Sequence, residues 1–513
     1  MARGQLKVPL TVHPGGIRQD VNPIAVPDGY ILDGTNWLTR SGRGKTRPGY
    51  IKLTQTAAAD RIIGIGYRGS PLAGNNVVVH SLTKAYSYDG SSLSDITGTW
   101  TASTAQQQVR FVNFVQSGTT YIVRANDVNA PDEWNGAGAF TDVAGTPPTF
   151  RDMMVLGGRI LGVRAAANDY RVQWSGFNDR TVWSSTATAE LRDTPGVIAA
   201  CRPFGPNTGA IYKDDAVYLA SVQAALQPFQ FQLVSYTPGP VSAGALTVLN
   251  GIHYWLAEDG NIYAFDGHSI PQPVGGGLIS TLHTFLSIEE RKRSFAFPIH
   301  GIEPEVWFNY PRNGAVTTTD VASVHDSDKS LYKHTWTHEI SAASEWNTVS
   351  DLTIDGLDSF SATIDGLDTY FATIDAMTSA GTRVALFGDV NGNLYRFGNS
   401  YTDNGTEIVW DFTHGYKAIA GIENQFYLDG LLSYWKKTSE SITITATIGT
   451  TSFADDTDTE QSGTFDTSTA SNHLLTFPNT YGKWVKVKHA GSKSRSDLEH
   501  RASAIMGWRK AMR

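Results

Sequence analysis

Residues 259–267 read Asp-Gly-Asn-Ile-Tyr-Ala-Phe-Asp-Gly, and the same pattern returns in residues 85–90 and 391–398. In each copy two aromatic residues stand two positions apart, so both side chains point to one face of a β-strand. The Asp-Gly or Asn-Gly dipeptides supply the positive-φ positions of a tight hairpin turn. A weaker copy, Glu-Trp-Asn-Gly, occupies residues 133–136. The sequence therefore predicts repeated short antiparallel hairpins, an all-β pattern.

The spacing of the hairpins predicts a β-propeller. Apolar strands and turn residues recur in units that fall near residues 59–98, 105–143, 150–190, 197–238, 240–280, 281–340 and 381–410. A period of about 40 residues suits a four-stranded blade, which must stack on its neighbours to bury its faces. We expect roughly six or seven blades. A β-sandwich with long loops has similar spacing and remains the alternative.

The pattern of apolar, polar and turn-forming residues divides the chain into three parts. Residues 1–58 are expected to form an N-terminal arm and first strands, and residues 59–410 the propeller, with an insertion at about 344–380. Residues 411–513 alternate apolar and polar side chains, as in Ser-Ile-Thr-Ile-Thr-Ala-Thr-Ile at 441–448. Such alternation predicts half-exposed antiparallel strands and hence an additional small C-terminal β domain. A helix is predicted at Ile279 to Arg293, where Ile279, Leu282 and Leu286 share one face.

Composition limits the class of protein. The 513 residues are 41% hydrophobic and 18% charged, and the formal net charge is −8. This charge argues against wrapping of duplex DNA, which needs clustered Lys and Arg, although transient contact stays possible. The sequence lacks an apolar run of about 20 residues, so no membrane span is expected. No secretory stretch follows Met1, which predicts folding in the cytoplasm, and the single Cys201 excludes an internal disulfide.

The motifs that would indicate ligand binding, metal binding or catalysis are matched only in part. Residues 64–69 match the dinucleotide-binding spacing, yet the turn formers that follow leave no helix to hold a pyrophosphate. His334 and His338 lack the third ligand that a metal site needs. Residues 94–100 resemble one turn of the sialidase Asp-box, in a single copy and the wrong register. We predict no catalytic residue, no metal and no cofactor, and thus no enzyme.

An internal ten-residue repeat occupies residues 353–377. The insertion is a candidate surface facing a channel or a partner, through the carboxylates of Asp355, Asp358, Asp365, Asp368 and Asp375. Calcium is an alternative ligand, since it prefers hard oxygen donors. Glycine-rich calcium repeats, however, have a period of about nine residues.

The C-terminal stretch is rich in cations. We take it as a candidate docking surface, with a solvated face as the alternative reading. Its residues are Lys483, Lys486, Lys488, Arg501 and Arg509.

Three stretches carry a family resemblance. The first, Asn22 to Tyr50, contains Val-Pro-Asp-Gly at 26–29, Asn-Trp-Leu at 36–38 and Gly-Arg-Gly-Lys-Thr-Arg-Pro-Gly-Tyr at 42–50. The others are residues 172–183 and residues 210–267. In this order they resemble the nozzle, or packaged-DNA-stabilisation (tail hub), proteins of short-tailed bacteriophages.

The resemblance implies a virion structural protein in the phage tail, assembled in the host cytoplasm. Members of this family form a homohexameric nozzle ring that closes the DNA channel, retains the packaged genome and opens for ejection. Implied partners are further copies of the chain, the tail adaptor ring above, tail fibre, spike or needle proteins, and genomic DNA in passing. The alternative is a propeller-based host-glycan binding module of a tail or, further off, a glycan hydrolase.

Overall fold

Four of the five N-terminal strands pair with a strand distant in the sequence, and the third pairs with the fourth. In the computed structural model they are β1 (Gln5–Thr11), β2 (Ile31–Thr35), β3 (Trp37–Arg40), β4 (Arg43–Thr46) and β5 (Tyr50–Lys52). The structure describes residues 5–11, 15–40, 43–53, 56–69, 77–223, 227–274, 286–287, 289–300, 303–312, 320–348, 382–398, 400–418, 426–439, 441–451, 459–477, 480–492 and 498–509.

Five separate four-stranded antiparallel sheets follow, each formed by consecutive strands. Blade 1 comprises β6 (Ile62–Tyr67), β7 (Val77–Ser81), β8 (Ala85–Tyr88) and β9 (Leu93–Asp95). Blade 2 comprises β10 (Arg110–Gln116), β11 (Thr119–Ala125), β12 (Asp132–Trp134) and β13 (Thr141–Asp142). Blade 3 comprises β14 (Asp152–Leu156), β15 (Arg159–Val163), β16 (Arg171–Gly176) and β17 (Asp179–Glu190). Blade 4 comprises β18 (Ile198–Pro203), β19 (Thr208–Lys213), β20 (Ala216–Val222) and β21 (Phe229–Ser235). Blade 5 comprises β22 (Leu246–Leu249), β23 (Ile252–Leu256), β24 (Ile262–Phe265) and β25 (Gln272–Pro273).

Two further four-stranded units belong to larger sheets. Blade 6 comprises β26 (Phe295–Ile299), β27 (Glu305–Tyr310), β28 (Asp320–His325) and β29 (Leu331–Thr335). Blade 7 comprises β30 (Ile340–Thr348), β31 (Thr382–Asp389) and β32 (Leu394–Phe397), and the N-terminal β5 pairs with β32 as its outer strand. The first strand of each unit, or the turn before it, contacts that of the next, and β30 returns to β6. The predicted all-β propeller is therefore confirmed, with seven such units among the described residues.

The remaining strands are β33 (Thr402–Asp403), β34 (Thr406–Glu407), β35 (Trp410–His414), β36 (Lys417–Ala418), β37 (Phe426–Trp435), β38 (Thr443–Thr451), β39 (Thr459–Asp466), β40 (Asn472–Thr476), β41 (Tyr481–Gly482), β42 (Trp484–Gly491) and β43 (His500–Arg509). Of these, β33 and β34 extend the sheet of blade 7 beyond β5, whereas the others join β1 to β4 in a sandwich of two sheets. One sheet runs β3-β4-β43-β37-β40, with β1 on β43. The other continues blade 6 as β29-β2-β35-β42-β38-β39. Leu431, Ile448, Val487 and Ile505 share the core between these strands.

The glycines of the dinucleotide-like motif have a packing role. Gly64 and Gly66 lie inside β6. A Cβ built on Gly64 would stand 2.8 Å from the carbonyl oxygen of Val109, and one built on Gly66 would stand 2.7 Å from the ring of Phe111. Their missing side chains let blade 2 approach blade 1 closely.

The predicted helix is wrong for the part of Ile279 to Arg293 that the structure describes. Leu286 forms an isolated bridge with Arg312, and Arg291–Arg293 is one 3₁₀ turn. The other 3₁₀ turns are Pro23–Ala25, Ala165–Ala167 and Ala243–Ala245. A short apolar period alone does not separate helix from buried extended chain. Within the described ranges, no helix has the length and apolar character needed to span a membrane.

Candidate functional site

The propeller encloses a central channel, which is the candidate site. A cavity of about 270 Å³ lies between β6, β10, β26, β30 and residues of blades 4 and 5. Its wall carries polar side chains as well as backbone, among them Gln108, Arg110, Asn113, Arg202, Thr247 and Glu345. Pockets for drug-sized ligands start at about 300 Å³, so this channel suits a small ligand.

Beside the channel, a buried carboxylate binds the guanidinium of a neighbouring blade. Asp152 begins β14, and its Oδ2 accepts hydrogen bonds from the Cys201 backbone N–H at 3.1 Å and from Arg202 Nη1. The Met153 N–H donates to Oδ1 at 3.0 Å. Arg202 Nη2 also donates to the Ala243 carbonyl at 2.9 Å. These contacts fix Arg202 across three blades.

Arg110 is held much less tightly than Arg202. Its Nε lies 3.6 Å from Asp152 Oδ1, beyond normal hydrogen-bond length. That Nε is buried and has no hydrogen-bond partner among the described residues. The side chain nevertheless keeps 26% of its surface accessible, because it borders the channel. Burial, followed by repulsion from Arg202, lowers the pKa of Arg110 to about 10, so it remains a cation at neutral pH.

Gln108 crosses the channel from blade 2 toward blades 5 and 6. Its Nε2 donates to the Ser294 carbonyl at 3.0 Å. Gly244 makes room for it, since a Cβ there would lie only 1.8 Å from Gln108 Oε1. The crossing side chain narrows the channel at this level.

Two ion pairs stand next to the ends of the inner strands. Arg61, just before β6, lies 3.1 Å from Glu339, just before β30. Arg293 lies 2.5 Å from Glu290, which also accepts a hydrogen bond from Gln106 at 3.0 Å. Burial lowers the pKa of Arg61 despite its ion pair with Glu339. Charged groups are thus concentrated where the inner strands begin.

The predicted C-terminal docking residues divide between two sheets. Lys486 and Lys488 lie on β42 of the ten-stranded sheet, with Lys483 just before it, whereas Arg501 and Arg509 lie on β43 of the seven-stranded sheet. Lys488 Nζ lies 2.6 Å from Asp411, and Lys486 Nζ stands 5.4 Å from the ring centre of Tyr416. Arg501 pairs with Glu499 at 3.3 Å. Docking at these cations stays a prediction.

The other residues that the sequence analysis considered as sites either lie outside the described residues or form ordinary hydrogen bonds. Asp355, Asp358, Asp365, Asp368 and Asp375 lie outside the described residues. His334 Nε2 is 2.8 Å from the hydroxyl of Ser323, and His338 Nδ1 is 2.7 Å from the hydroxyl of Tyr50. In the parts of the chain that the structure covers, no three His, Cys, Asp or Glu side chains are placed to hold a metal.

Sequence reasoning missed the channel residues. Arg110 and Asp152 begin their inner strands and Arg202 lies near the end of its own, each next to apolar residues, as in Val109-Arg110-Phe111. Single charges in the inner strands of consecutive units would have been the available signal. Such a charge must be paired or must face water, because burying it alone is costly.

No family model matches the sequence, and no curated protein matches it. Several solved structures are similar in part. A catalytically inactive virginiamycin B lyase from Staphylococcus aureus with quinupristin has a TM-score of 0.42 at 10% identity, covering 68% of this chain and 98% of that one. The computationally designed Ika8 protein gives 0.39 at 12%, covering 68% and 99%. BamB from Moraxella catarrhalis gives 0.31 at 11%, covering 69% and 99%. These scores are low, so we take the function from the chain's own geometry.

Proposed function

We propose that this protein is a virion structural protein, a subunit of the nozzle ring in the tail of a short-tailed bacteriophage. In this role copies of the chain close the DNA channel, retain the packaged genome and open for ejection. This function requires a subunit that stays rigid under force. The main observation in support of the proposal is the sheet that the propeller and the sandwich share.

That sheet runs without a break from blade 6 into the sandwich. β29 pairs with β2, β2 with β35, and β35 with β42. Hydrogen-bonded strands, and not a flexible linker, therefore join the two parts of the molecule. A linker of Gly and Ser would allow the parts to move independently. The continuous sheet supports a role in which the subunit resists force as one piece.

The first stretch that resembles the nozzle family supplies this junction. Arg47 forms a two-pronged ion pair with Asp403, at 2.8 and 2.6 Å, and its Nε donates to Asn36 at 2.8 Å. Trp37 packs on Phe412 with ring centres 4.5 Å apart. Tyr50, at the end of the stretch, lies in the strand that completes blade 7. The resemblance thus falls on residues that hold the fold together, which supports a shared architecture.

Charge is compatible with DNA passing a ring of such subunits. With a net charge of −8, an acidic wall would let anionic DNA slide without sticking. The passage would lie between subunits, because the propeller's own channel is a cavity of about 270 Å³ crossed by Gln108. A continuous Lys/Arg belt on the lumen of an assembled ring would contradict this part of the proposal.

The native mass of the full chain tests the proposal. We expect a ring six times the mass of the 55.7 kDa chain, and the same ring at the distal end of phage tails labelled with an antibody against it. A chain that stays monomeric at high concentration and binds host glycans would instead support the glycan-binding alternative. A chain absent from tails would overturn the proposal.

Charge reversal tests docking by the C-terminal cations. Lys488→Glu should weaken binding of the ring to its adaptor if β42 forms that contact. Lys84→Glu is the matched control, since Lys84 is also exposed and lies 2.8 Å from its acidic partner Asp95, in the propeller. Equal binding by both variants would remove β42 from the interface.

A further inference from the structure

We infer that the propeller channel is a binding site for one small free oxyanion, with the guanidinium of Arg110 as its main ligand. The inference does not depend on the tail function. It arises from a cation that borders a polar cavity and shares its nearest carboxylate, that of Asp152, with a second guanidinium.

The donor set is specific to anions. A guanidinium presents five N–H donors in a planar fork, which matches carboxylate or phosphate oxygens. Arg110 places its buried Nε 3.6 Å from the nearest carboxylate, and no hydrogen bond satisfies that atom among the described residues. The remaining accessible surface of Arg110 borders the cavity, whose wall also includes the hydroxyl-bearing Thr247 and the amide-bearing Asn113.

Local charge favours an anion near Arg110. Two guanidiniums, Arg110 and Arg202, share the single carboxylate of Asp152. Arg202 and two backbone N–H groups already donate to the oxygens of Asp152. One positive charge is therefore left uncompensated within this group.

The carboxylate that lines the cavity, that of Glu345, is set apart from Arg110. Glu345 faces His300, with Oε1 and Nε2 3.1 Å apart. The Ser341 hydroxyl donates to the Ile62 carbonyl at 2.6 Å, and the Val109 N–H donates to the Ile63 carbonyl at 3.2 Å. These two hydrogen bonds fix the relative level of the inner strands of blades 7, 1 and 2. By this register Glu345 lies roughly 7 Å further along the channel than Arg110, at about 3.3 Å per residue. An anion on Arg110 would thus avoid it.

The volume of the cavity favours a small ion over a polymer. The cavity of about 270 Å³ holds a phosphate-sized ion with some water, while Gln108 and its hydrogen bond to Ser294 obstruct a threaded polymer. A low-dielectric wall strengthens the attraction relative to an exposed arginine. A phosphate carried on a nucleic acid should therefore be excluded, whereas free phosphate should enter.

Calorimetric titration of inorganic phosphate into the full chain, at constant ionic strength in chloride buffer, tests the inference. We expect saturable one-site binding with a Kd of about 1 mM or tighter. Arg110→Gln should weaken it at least ~10-fold. Arg192→Gln should leave it unchanged, because Arg192 is an exposed arginine that pairs with Glu190. A tetranucleotide with a 5′-phosphate should not compete with phosphate.

The inference would be overturned by the absence of saturable binding, by binding that survives Arg110→Gln, or by equal loss in the Arg192→Gln control. Arg110→Lys provides a second variant if Arg110→Gln does not fold. It keeps the charge but loses the planar fork, so phosphate should bind more weakly than to the natural chain. Competition by the tetranucleotide would place the phosphate site outside the channel and overturn it as well.

Discussion

At the scale of single residues, the Arg47–Asp403 pair has the strongest predicted effect on stability. Both side chains are fully buried, and Arg47 also donates to the Thr335 carbonyl at 2.6 Å. Asp403→Ala leaves a buried guanidinium without its counter-ion, which should cost about 3–5 kcal/mol. Denaturant titration of the free energy of unfolding checks this. Lys84→Ala, which breaks only an exposed pair with Asp95, should cost far less.

The coupling within this buried pair can be measured separately. In the double variant Arg47→Met with Asp403→Leu no buried charge is left, so its loss should be smaller than the sum of the two single losses. Strictly additive losses would show that the two side chains stabilise the protein independently, contrary to their two short hydrogen bonds.

At the scale of elements, β5 is the strand that closes the propeller. Tyr50 is fully buried, and its ring meets those of Trp336 and Tyr395 edge to face, at 5.6 and 5.2 Å. Tyr50→Ala should cost about 3–5 kcal/mol and speed amide exchange in β32. The neighbouring Ile51 is 39% exposed, so Ile51→Ala should change stability by no more than about 0.5 kcal/mol. Hydrogen exchange that stays equal in β32 would contradict the closing role.

The contact between blades 1 and 2 is a second element with a direct test. Gly66→Ala places a methyl group 2.7 Å from Phe111, and such overpacking should cost about 1–3 kcal/mol of unfolding free energy. Gly205→Ala is the control, because no atom lies within 4 Å of a Cβ built there. A stable Gly66→Ala protein would mean that the two blades can separate slightly at no cost.

The sequence predicted elements better than the way they join. The Asp-Gly and Asn-Gly hairpins form as expected, because Asp259 accepts from the Asn261 N–H at 2.9 Å and from the Tyr263 hydroxyl at 2.7 Å. These are local interactions that a short stretch encodes. Closure of blade 7 by β5 depends on partners more than 300 residues apart, Tyr50 and Phe397 among them, which no periodicity reveals. For the same reason the sequence did not reveal the partners of the arm and first strands predicted at 1–58, whose described strands pair with the propeller and the sandwich.

The channel site escaped prediction for a related reason. Its charged residues come from blades 2, 4 and 7, Asp152 of blade 3 stands beside two of them, and only the circular arrangement of the blades brings them together. Each charge by itself resembles an ordinary strand residue in the sequence. Net charge and motif searches therefore pointed to the C-terminal cations, which the fold divides between two sheets.

At the scale of the whole molecule, buried histidines should make the protein sensitive to acid. His80 in blade 1, His253 in blade 5 and His489 in the sandwich are fully buried, and burial lowers the pKa of each to about 3. Below the unfolded pKa of about 6.5, these imidazoles bind protons in the unfolded chain but stay neutral in the folded protein. Stability is therefore complete above that pH and declines as the pH falls toward the folded values.

Each such histidine contributes a slope of about 1.4 kcal/mol per pH unit, so the three together should remove roughly 4 kcal/mol between pH 6 and pH 5. Asp132 opposes them with about 1 kcal/mol, because burial raises its pKa to about 6 and the folded state binds this proton first. In denaturant titrations across this range, His489→Gln should reduce the slope by about 1.4 kcal/mol per pH unit, since glutamine stays neutral, whereas His268→Gln, at an exposed position, should leave it unchanged. Because the three side chains lie in separate parts of one continuous hydrogen-bonded body, acid should unfold the propeller and the sandwich together, in one transition. A sandwich that unfolds first, with the propeller intact, would show that the shared sheet does not couple them.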